Sequence, residues 1–222
     1  GTGMASAARV HNVGEAKARV TLKNDGTAVI QSDMTDIGTG TYTIVAQIAG
    51  EMLGIPIEKV LVELGDTNHP RGPGSGGSWG AASIGSAVYV ACEALREELA
   101  HRAGTSETEL DLRDGSVIGG KSLVELLDGE DISEVGHYEP GDIADSHTAS
   151  GFGAFFAKVR VNRFTGETRV DHMLGAFGFG RVLNEKTARS QCLGGITWSI
   201  GVALTEALLF DPVDGHLVNC DL

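Results

Sequence analysis

Two glycine-rich stretches hold the residues of this 222-residue chain whose types and spacing could do chemistry: Gly38-Thr39-Gly40-Thr41 and Gly74-Ser75-Gly76-Gly77-Ser78. Each follows a strand pattern and opens a helix pattern. Glycine lets successive backbone N–H groups converge on a guest, and a helix N-terminus carries partial positive charge. Hydroxyls at Thr39, Thr41, Ser75 and Ser78 add donors. Such donors suit a phosphate or another anion. Arg71 is the one cation close to them in sequence, so backbone dipoles would have to do the holding. Two ordinary surface loops would have the same composition, and the pattern alone leaves both readings open.

The standard nucleotide motifs are absent. Gly72-Pro73-Gly74-Ser75-Gly76-Gly77 satisfies G-x-G-x-x-G, but residues 65–71 separate it from its strand, where a dinucleotide fingerprint follows at once. The acidic residues about twenty positions on, Glu93 and Glu97, fall inside a helix pattern. No G-K-[ST] occurs, which excludes a P-loop. The seven histidines (His11, His69, His101, His137, His147, His172 and His216) form no i, i+2 or i, i+4 pair, so no histidine metal site is expected. Cys92, Cys192 and Cys220 are scattered and odd in number, which argues against a disulfide framework or a zinc ribbon. There is no G-x-S-x-G elbow and no nucleophile–base set at recognisable spacing. His69 beside Asp66 reads as a solvated loop histidine. Asp66, Glu51 and Glu206 read as turn or helix-face carboxylates. No catalytic residue and no metal ligand is therefore assigned.

The elements that must position the two loops follow from hydrophobic pattern and turn chemistry. Residues 18–32 alternate around Asn24-Asp25-Gly26, a hairpin signal. A helix is expected over about 42–53, with Thr41 as its N-cap, Ile44, Ile48 and Met52 on one face, and Gly54 and Pro56 ending it. Residues 59–64 read as a strand and about 81–102 as a helix. The acidic, turn-rich stretch 103–150 reads as a peripheral excursion with a hairpin at Asp114-Gly115 and a short helix over 122–127. A second hairpin (155–161 and 167–173 around residues 162–166) continues to Phe179, and Asn184 then caps a long helix over about 185–209. That helix is apolar nearly all round, which predicts a core position. Its glycines, Gly194, Gly195 and Gly201, predict close approach of backbone or ligand, or tight helix packing. Hairpins mixed with strand–loop–helix units predict an α+β fold with mixed sheets. Lys+Arg 17 against Asp+Glu 30, a net charge of −13, excludes a phosphate-backbone binder, so no nucleic-acid partner is expected. No apolar run reaches the 18 or so residues of a membrane span, and the first residues lack a secretory pattern, so a cytoplasmic protein is expected.

The order of short motifs is similar to one family. Residues 36–43 (Asp-Ile-Gly-Thr-Gly-Thr-Tyr-Thr), then Ala46-Gln47-Ile48-Ala49, Leu53-Gly54-Ile55-Pro56, Leu64-Gly65-Asp66-Thr67 and Gly76-Gly77-Ser78-Trp79 resemble the molybdenum-cofactor-binding subunit of the xanthine dehydrogenase/aldehyde oxidase family. The likeness resumes at Gly153-Ala154, Val159-Arg160-Val161, Thr165-Gly166-Glu167 and Gly180-Arg181-Val182-Leu183-Asn184. It runs on through Ala188-Arg189-Ser190-Gln191, Gly194-Gly195 and Asp211-Pro212 to residues 219–222. It is strongest to bacterial three-subunit aldehyde oxidoreductases and weakest over 103–150.

The resemblance implies a molybdenum-cofactor-binding-domain-like fold, with the chain a piece of the molybdopterin-binding region (1–102, an excursion over 103–150, and 151–222). It implies that Gly38, Thr39, Gly40 and Thr41 match a Gly-Gln-Gly loop that contacts the pterin dinucleotide, Thr39 replacing the usual glutamine. Gly76, Gly77, Ser78 and Trp79 would hydrogen-bond the cofactor and border the substrate pocket, and Gln191 would lie near the pterin and the metal. Molybdenum would be held by the pterin dithiolene, in the cytosine dinucleotide form, in the complete protein, and the fragment itself would lack it. The family's base is a glutamate in a Gly-Glu-Pro-type segment, which these residues do not contain. The implied activity is water-derived hydroxylation of aldehydes or N-heterocycles. The implied partners are the rest of the subunit and iron–sulfur and FAD subunits or domains, in the cytoplasm or, for the complete complex, the periplasm. The fragment alone is expected to be inactive and, with its patches exposed, to form a homo-oligomer. The alternative reading is a non-catalytic assembly or interaction module.

Overall fold

The computed structural model describes residues 1–219; Cys220, Asp221 and Leu222, to which the resemblance extends, lie outside the described residues. In chain order the elements are β1 (Thr2–Val10), β2 (Ala16–Leu22), β3 (Ala28–Ser32), α1 (Thr41–Leu53), β4 (Val60–Leu64), α2 (Gly80–Ala103), β5 (Leu112–Arg113), β6 (Ser116–Val117), α3 (Leu123–Leu127), β7 (Ile132–Tyr138), α4 (Ile143–Ser146), β8 (Ser150–Val161), β9 (Thr168–Gly178) and α5 (Glu185–Leu204). They form two compact units, Val10–Ala149 and Gly1–Arg9 with Ser150–Leu222.

The first unit is built on a four-stranded sheet in the order β4-β3-β2-β7. Strands β2 and β3 form the expected hairpin, with Gly26 at φ 81° completing a turn in which the Lys23 and Thr27 backbones bond at 2.8 Å. Strand β4 joins β3 in parallel and β7 joins β2 antiparallel, so the sheet is mixed as the α+β reading requires. Strict alternation along β2 and β3 puts Ala16, Ala18, Val20, Leu22, Ala28 and Ile30 on one face, all fully buried. Residues of α1 (Val45, Ala49, Leu53) and α2 (Ile84, Val88, Leu95, Leu99) cover that face. Each fully buried leucine or isoleucine contributes roughly 1.5–3 kcal/mol. Where α2 crosses β7 the approach is too close for any side chain. A Cβ at Gly136 would stand 2.0 Å from the Ala87 carbonyl oxygen and 2.5 Å from the Ala91 nitrogen.

Two expectations for this unit change. The stretch 103–150 supplies the edge strand β7 and the core side chains Leu110, Leu112, Leu123, Leu126 and Leu127, so it is built into the core. Its local features stand as expected. The Asp114-Gly115 turn has both residues at positive φ, and a Ser122–Glu125 capping box starts α3. Thr41 is not an N-cap. Gly40, left-handed at φ 92°, occupies the cap position without any side-chain bond, and Thr41 is the buried first residue of α1. Gly54 does end α1 in the left-handed conformation.

The second unit pairs β8 with β9 in a long hairpin, bulged between Lys158 and Val159, with β1 along the outer side of β8. Phe155 and Phe177 meet edge to face on the sheet surface nearer α5, 5.3 Å between ring centres. Asn184 caps α5 as expected, its side chain accepting the Thr187 amide at 2.9 Å. The helix ends at Leu204, five residues before the expected end. The Gly201 carbonyl takes both the Thr205 and Glu206 amides, and Leu209 turns to bond the Asn219 side chain. Nor is α5 a core helix, for none of its residues is buried.

Candidate functional site

Because β3 and β4 run parallel and in register (Ser32 beside Leu64), the segments that follow them leave from the same end of the sheet. Ligands of open sheets containing parallel strands gather at such carboxyl ends. The two glycine loops are therefore neighbours by topology, and hydrogen bonds draw them together. The Asp33 amide donates to the Pro70 carbonyl at 2.9 Å, the Gly72 amide to the Asp33 carboxylate, and the Ser75 hydroxyl to the Thr35 carbonyl.

In the first loop the Asp36 carboxylate accepts the amides of Gly38 (2.8 Å) and Thr39 (3.1 Å). These two donors are thus already engaged. The amides of Thr43 and Ile44 return to the Gly40 carbonyl, whereas those of Gly40, Thr41 and Tyr42 have no acceptor among the described residues. Neither α1 nor α2 has an acidic residue in its first turn to compete for an anion.

In the second loop Gly77 and Ser78 are both left-handed, at φ 62°. Glycine adopts this freely, but serine pays for it, and such residues concentrate at binding sites. A Cβ at Gly38, Gly76 or Gly77 would meet no heavy atom within 4 Å, so the backbone of both loops is open to a guest. Trp79 turns back over its own loop, its indole N–H bonded to the Gly74 carbonyl at 2.6 Å.

Gln191 belongs to the other unit. On α5 the half-buried Cys192, Ile196 and Ile200 lie on one side, with Ile196 against β9 near Gly175, while Gln191, Gly194, Gly195 and Trp198 are exposed, Trp198 at 71%. Among the described residues nothing approaches Gly194 or Gly195 within 4 Å of a would-be Cβ, and at Gly201 the neighbour is the Glu206 carboxylate. The close approach expected from these glycines is therefore not made by the described residues of this chain.

The other candidates take structural roles. Asp66 holds the backbone and side-chain N–H groups of Asn68, and these bonds keep its carboxyl below the usual range. His69 is less solvated than expected: its side chain is 15% exposed, 3.9 Å from Glu63, and its Nδ1 is buried without a partner. Burial pushes the Cys92 thiol up to about 12, which suits a packing residue and not a nucleophile. Histidine spacing did not reveal two mixed groups, Glu15/His137/Glu139 and Asp211/Asp214/His216, whose ligand atoms lie within 4.8 Å of one another at the surface. Sequence reasoning also missed Asp33 and Asp36. The Asp-x-Gly spacing of Asp36 was the available signal, since it is the signature of an Asx turn. No helix among the described residues is long and apolar enough to cross a membrane.

Comparison with known proteins finds relatives over the whole length of the chain. The chain is 42% identical over 225 residues to the aldehyde oxidoreductase molybdenum-binding subunit PaoC of Escherichia coli K12, covering 100% of this chain and 31% of that protein. It is 30% identical to the nicotine 6-hydroxylase large subunit of Paenarthrobacter nicotinovorans, over 95% of this chain and 28% of that one. It thus spans about a third of the length of the relatives it matches. The crystal structure of quinoline 2-oxidoreductase from Pseudomonas putida 86 shares its fold, with a TM-score of 0.83 at 24% identity over 99% of this chain and 32% of that one. A family model described as the molybdopterin cofactor-binding domain matches residues 1–222, and the chain belongs to that family.

Proposed function

We propose that this chain is a piece of the cofactor-binding subunit of a molybdenum hydroxylase and that its two glycine loops hold the pterin dinucleotide. The observation that carries this reading is the pair of open loops at the ends of parallel strands, joined by Asp33 and Ser75, with the Gly40, Thr41 and Tyr42 amides uncommitted. The donor set fits the group. A pterin dinucleotide is anionic at its phosphates, and uncommitted amides at a helix start with no first-turn acid are suited to it. The backbone at Gly38, Gly76 and Gly77 has room for a flat guest to lie against it.

In this reading Gly40 and Thr41 donate backbone N–H groups to phosphate oxygens. Thr39 and Ser78 offer hydroxyls, and Gly76 and Gly77 let the guest approach the chain. Gln191 would bond the pterin end in the assembled subunit. The bound group supplies two-electron redox chemistry for hydroxylating an aldehyde or an N-heterocycle with oxygen from water. The residues of this chain bind and orient, and the proton-handling carboxylate of the reaction belongs to the rest of the subunit. In the same reading the cofactor is the cytosine dinucleotide form, the partners are iron–sulfur and FAD subunits or domains, and the complex is cytoplasmic. The remaining subunit covers the apolar surface of α5.

The test is to produce the complete subunit with its partner subunits and measure molybdenum, pterin and nucleotide by mass. One pterin and one molybdenum per subunit are expected, both lost when Gly40 and Gly76 are replaced together by valine. A complete wild-type subunit free of pterin would overturn the proposal in favour of a non-catalytic assembly module.

A further inference from the structure

We infer that Trp79 is a positioning residue that shapes both glycine loops through their backbone, with its indole N–H directed into the protein and not toward a guest. The inference rests on the cofactor reading only for its functional consequence; the geometry stands without it. The indole N–H donates to the Gly74 carbonyl at 2.6 Å, closing residues 74–79 into a ring. The indole's six-membered ring lies 3.6 Å from where a Gly14 Cβ would be and 3.8 Å from the equivalent point at Gly74, so both glycines flank it. The clasp is anchored at its other end. The buried Ser83 hydroxyl donates to the Trp79 carbonyl at 2.7 Å and accepts the Gly14 amide at 2.9 Å. An N–H makes one good bond, and this one is taken.

Two consequences follow for the loops. Ser78 sits in the left-handed region, where a side chain is disfavoured, and it keeps that conformation only if its surroundings over-determine it. The bond from Trp79 to Gly74 is the constraint that spans it. Gly74 is also followed directly by Ser75, whose hydroxyl holds the Thr35 carbonyl, and Asp36 next in line orders Gly38 and Thr39. A covalent and hydrogen-bonded path thus runs from the indole to the first loop. Removing the indole N–H should loosen both loops while leaving the sheet intact.

The experiment is amide hydrogen exchange on the complete subunit in its cofactor-free form, comparing wild type with Trp79→Phe. Phenylalanine keeps an aromatic ring between Gly14 and Gly74 but loses the donor. Exchange about fivefold faster is expected in both 74–80 and 35–40, with β2 and β7 unchanged, the factor being that of one lost hydrogen bond. Should that variant not fold, 3-benzothienylalanine at position 79 keeps the indole shape without the N–H and gives the same readout. Unchanged exchange in either loop overturns the inference. Pterin content of the same two proteins, purified with their partner subunits and before any cofactor is removed, separates the two claims. A wild type without pterin sinks the cofactor reading and leaves the exchange result to decide the clasp. With a pterin-loaded wild type, Trp79→Phe is expected to retain less than about half of it.

Discussion

The carboxylate of Asp33 accepts the amide of Gly72, a residue 39 positions away, and so joins the segment leaving β3 to the segment leaving β4. Neighbouring parallel strands place the two segments side by side, but only specific bonds fix their spacing. Asp33 supplies two, since its own amide donates to Pro70. Replacing Asp33 by alanine leaves the Gly72 amide without its partner, and the expected cost is about 2 kcal/mol, as for a bond to a charged acceptor. Asp33→Asn keeps an acceptor oxygen and is expected to cost less than half as much. Urea unfolding of the two variants checks the difference, and equal midpoints would mean that the bond does not hold the loops.

Gly136 is required for a different reason. Its would-be Cβ falls 2.0 Å from the Ala87 carbonyl oxygen, and backbone cannot swing aside as a flexible side chain can. Gly136→Ala must therefore push α2 off β7, with an expected loss of roughly 3 kcal/mol or more. The loss would be visible as a fall in the thermal midpoint. Gly76→Ala is the control, because no heavy atom lies within 4 Å of its Cβ position. A stability change there within about 0.5 kcal/mol is expected.

The parts of this fold that were legible in the sequence are those written locally. Asn24-Asp25-Gly26 and Asp114-Gly115 specify their turns through left-handed backbone, and Gly54 and Asn184 mark helix ends by capping. What was not legible depends on partners far along the chain. Strand β7 pairs with β2 across more than a hundred residues, and nothing in its own pattern distinguishes a core edge strand from an excursion. Glycines mark the two loops in the sequence, whereas the aspartates that shape them act on amides whose positions the sequence does not give. Their function depends on Gly72, Gly38 and Thr39 being brought within reach. The apolar pattern of α5 reads as a core helix, but none of its residues is buried, because periodicity reports which side chains avoid water and not whether the described residues supply a surface to pack against.

Cys92 gives a prediction at alkaline pH. Its thiol is buried and raised to about 12, against an unfolded value near 9. A raised pKa means that the unfolded chain releases its proton first. The stabilisation is therefore fully present below the unfolded value and is lost as pH climbs from there toward the folded one. The expected slope is about 1.4 kcal/mol per pH unit in that window. Cys92→Val keeps a small apolar side chain and should show a shallower alkaline limb by that amount. Cys92 of the native wild type should also resist alkylation at pH 9, where an unfolded control reacts at that position. Rapid modification of folded protein at Cys92 would contradict the packing described.

The outward surface of α5 gives the last prediction. Trp198 is 71% exposed, Val202 57% and Leu193 49%, on a helix with no buried residue, and Leu208 beyond its end is 70% exposed. Patches of this kind on soluble proteins mark contact surfaces. If the remainder of the subunit covers them, the 222-residue chain alone should bind a hydrophobic dye and elute above its 23.1 kDa mass, and the complete subunit should do neither. Replacing Trp198 and Val202 by lysine should make the short chain monomeric with little change in its own thermal midpoint, since neither side chain contributes to a core. In the complete subunit the same pair should cost several kcal/mol, because two unpaired charges would then be buried. Equal tolerance in both contexts would show that α5 faces solvent in the assembled protein as well, and the covering role would have to move to another surface.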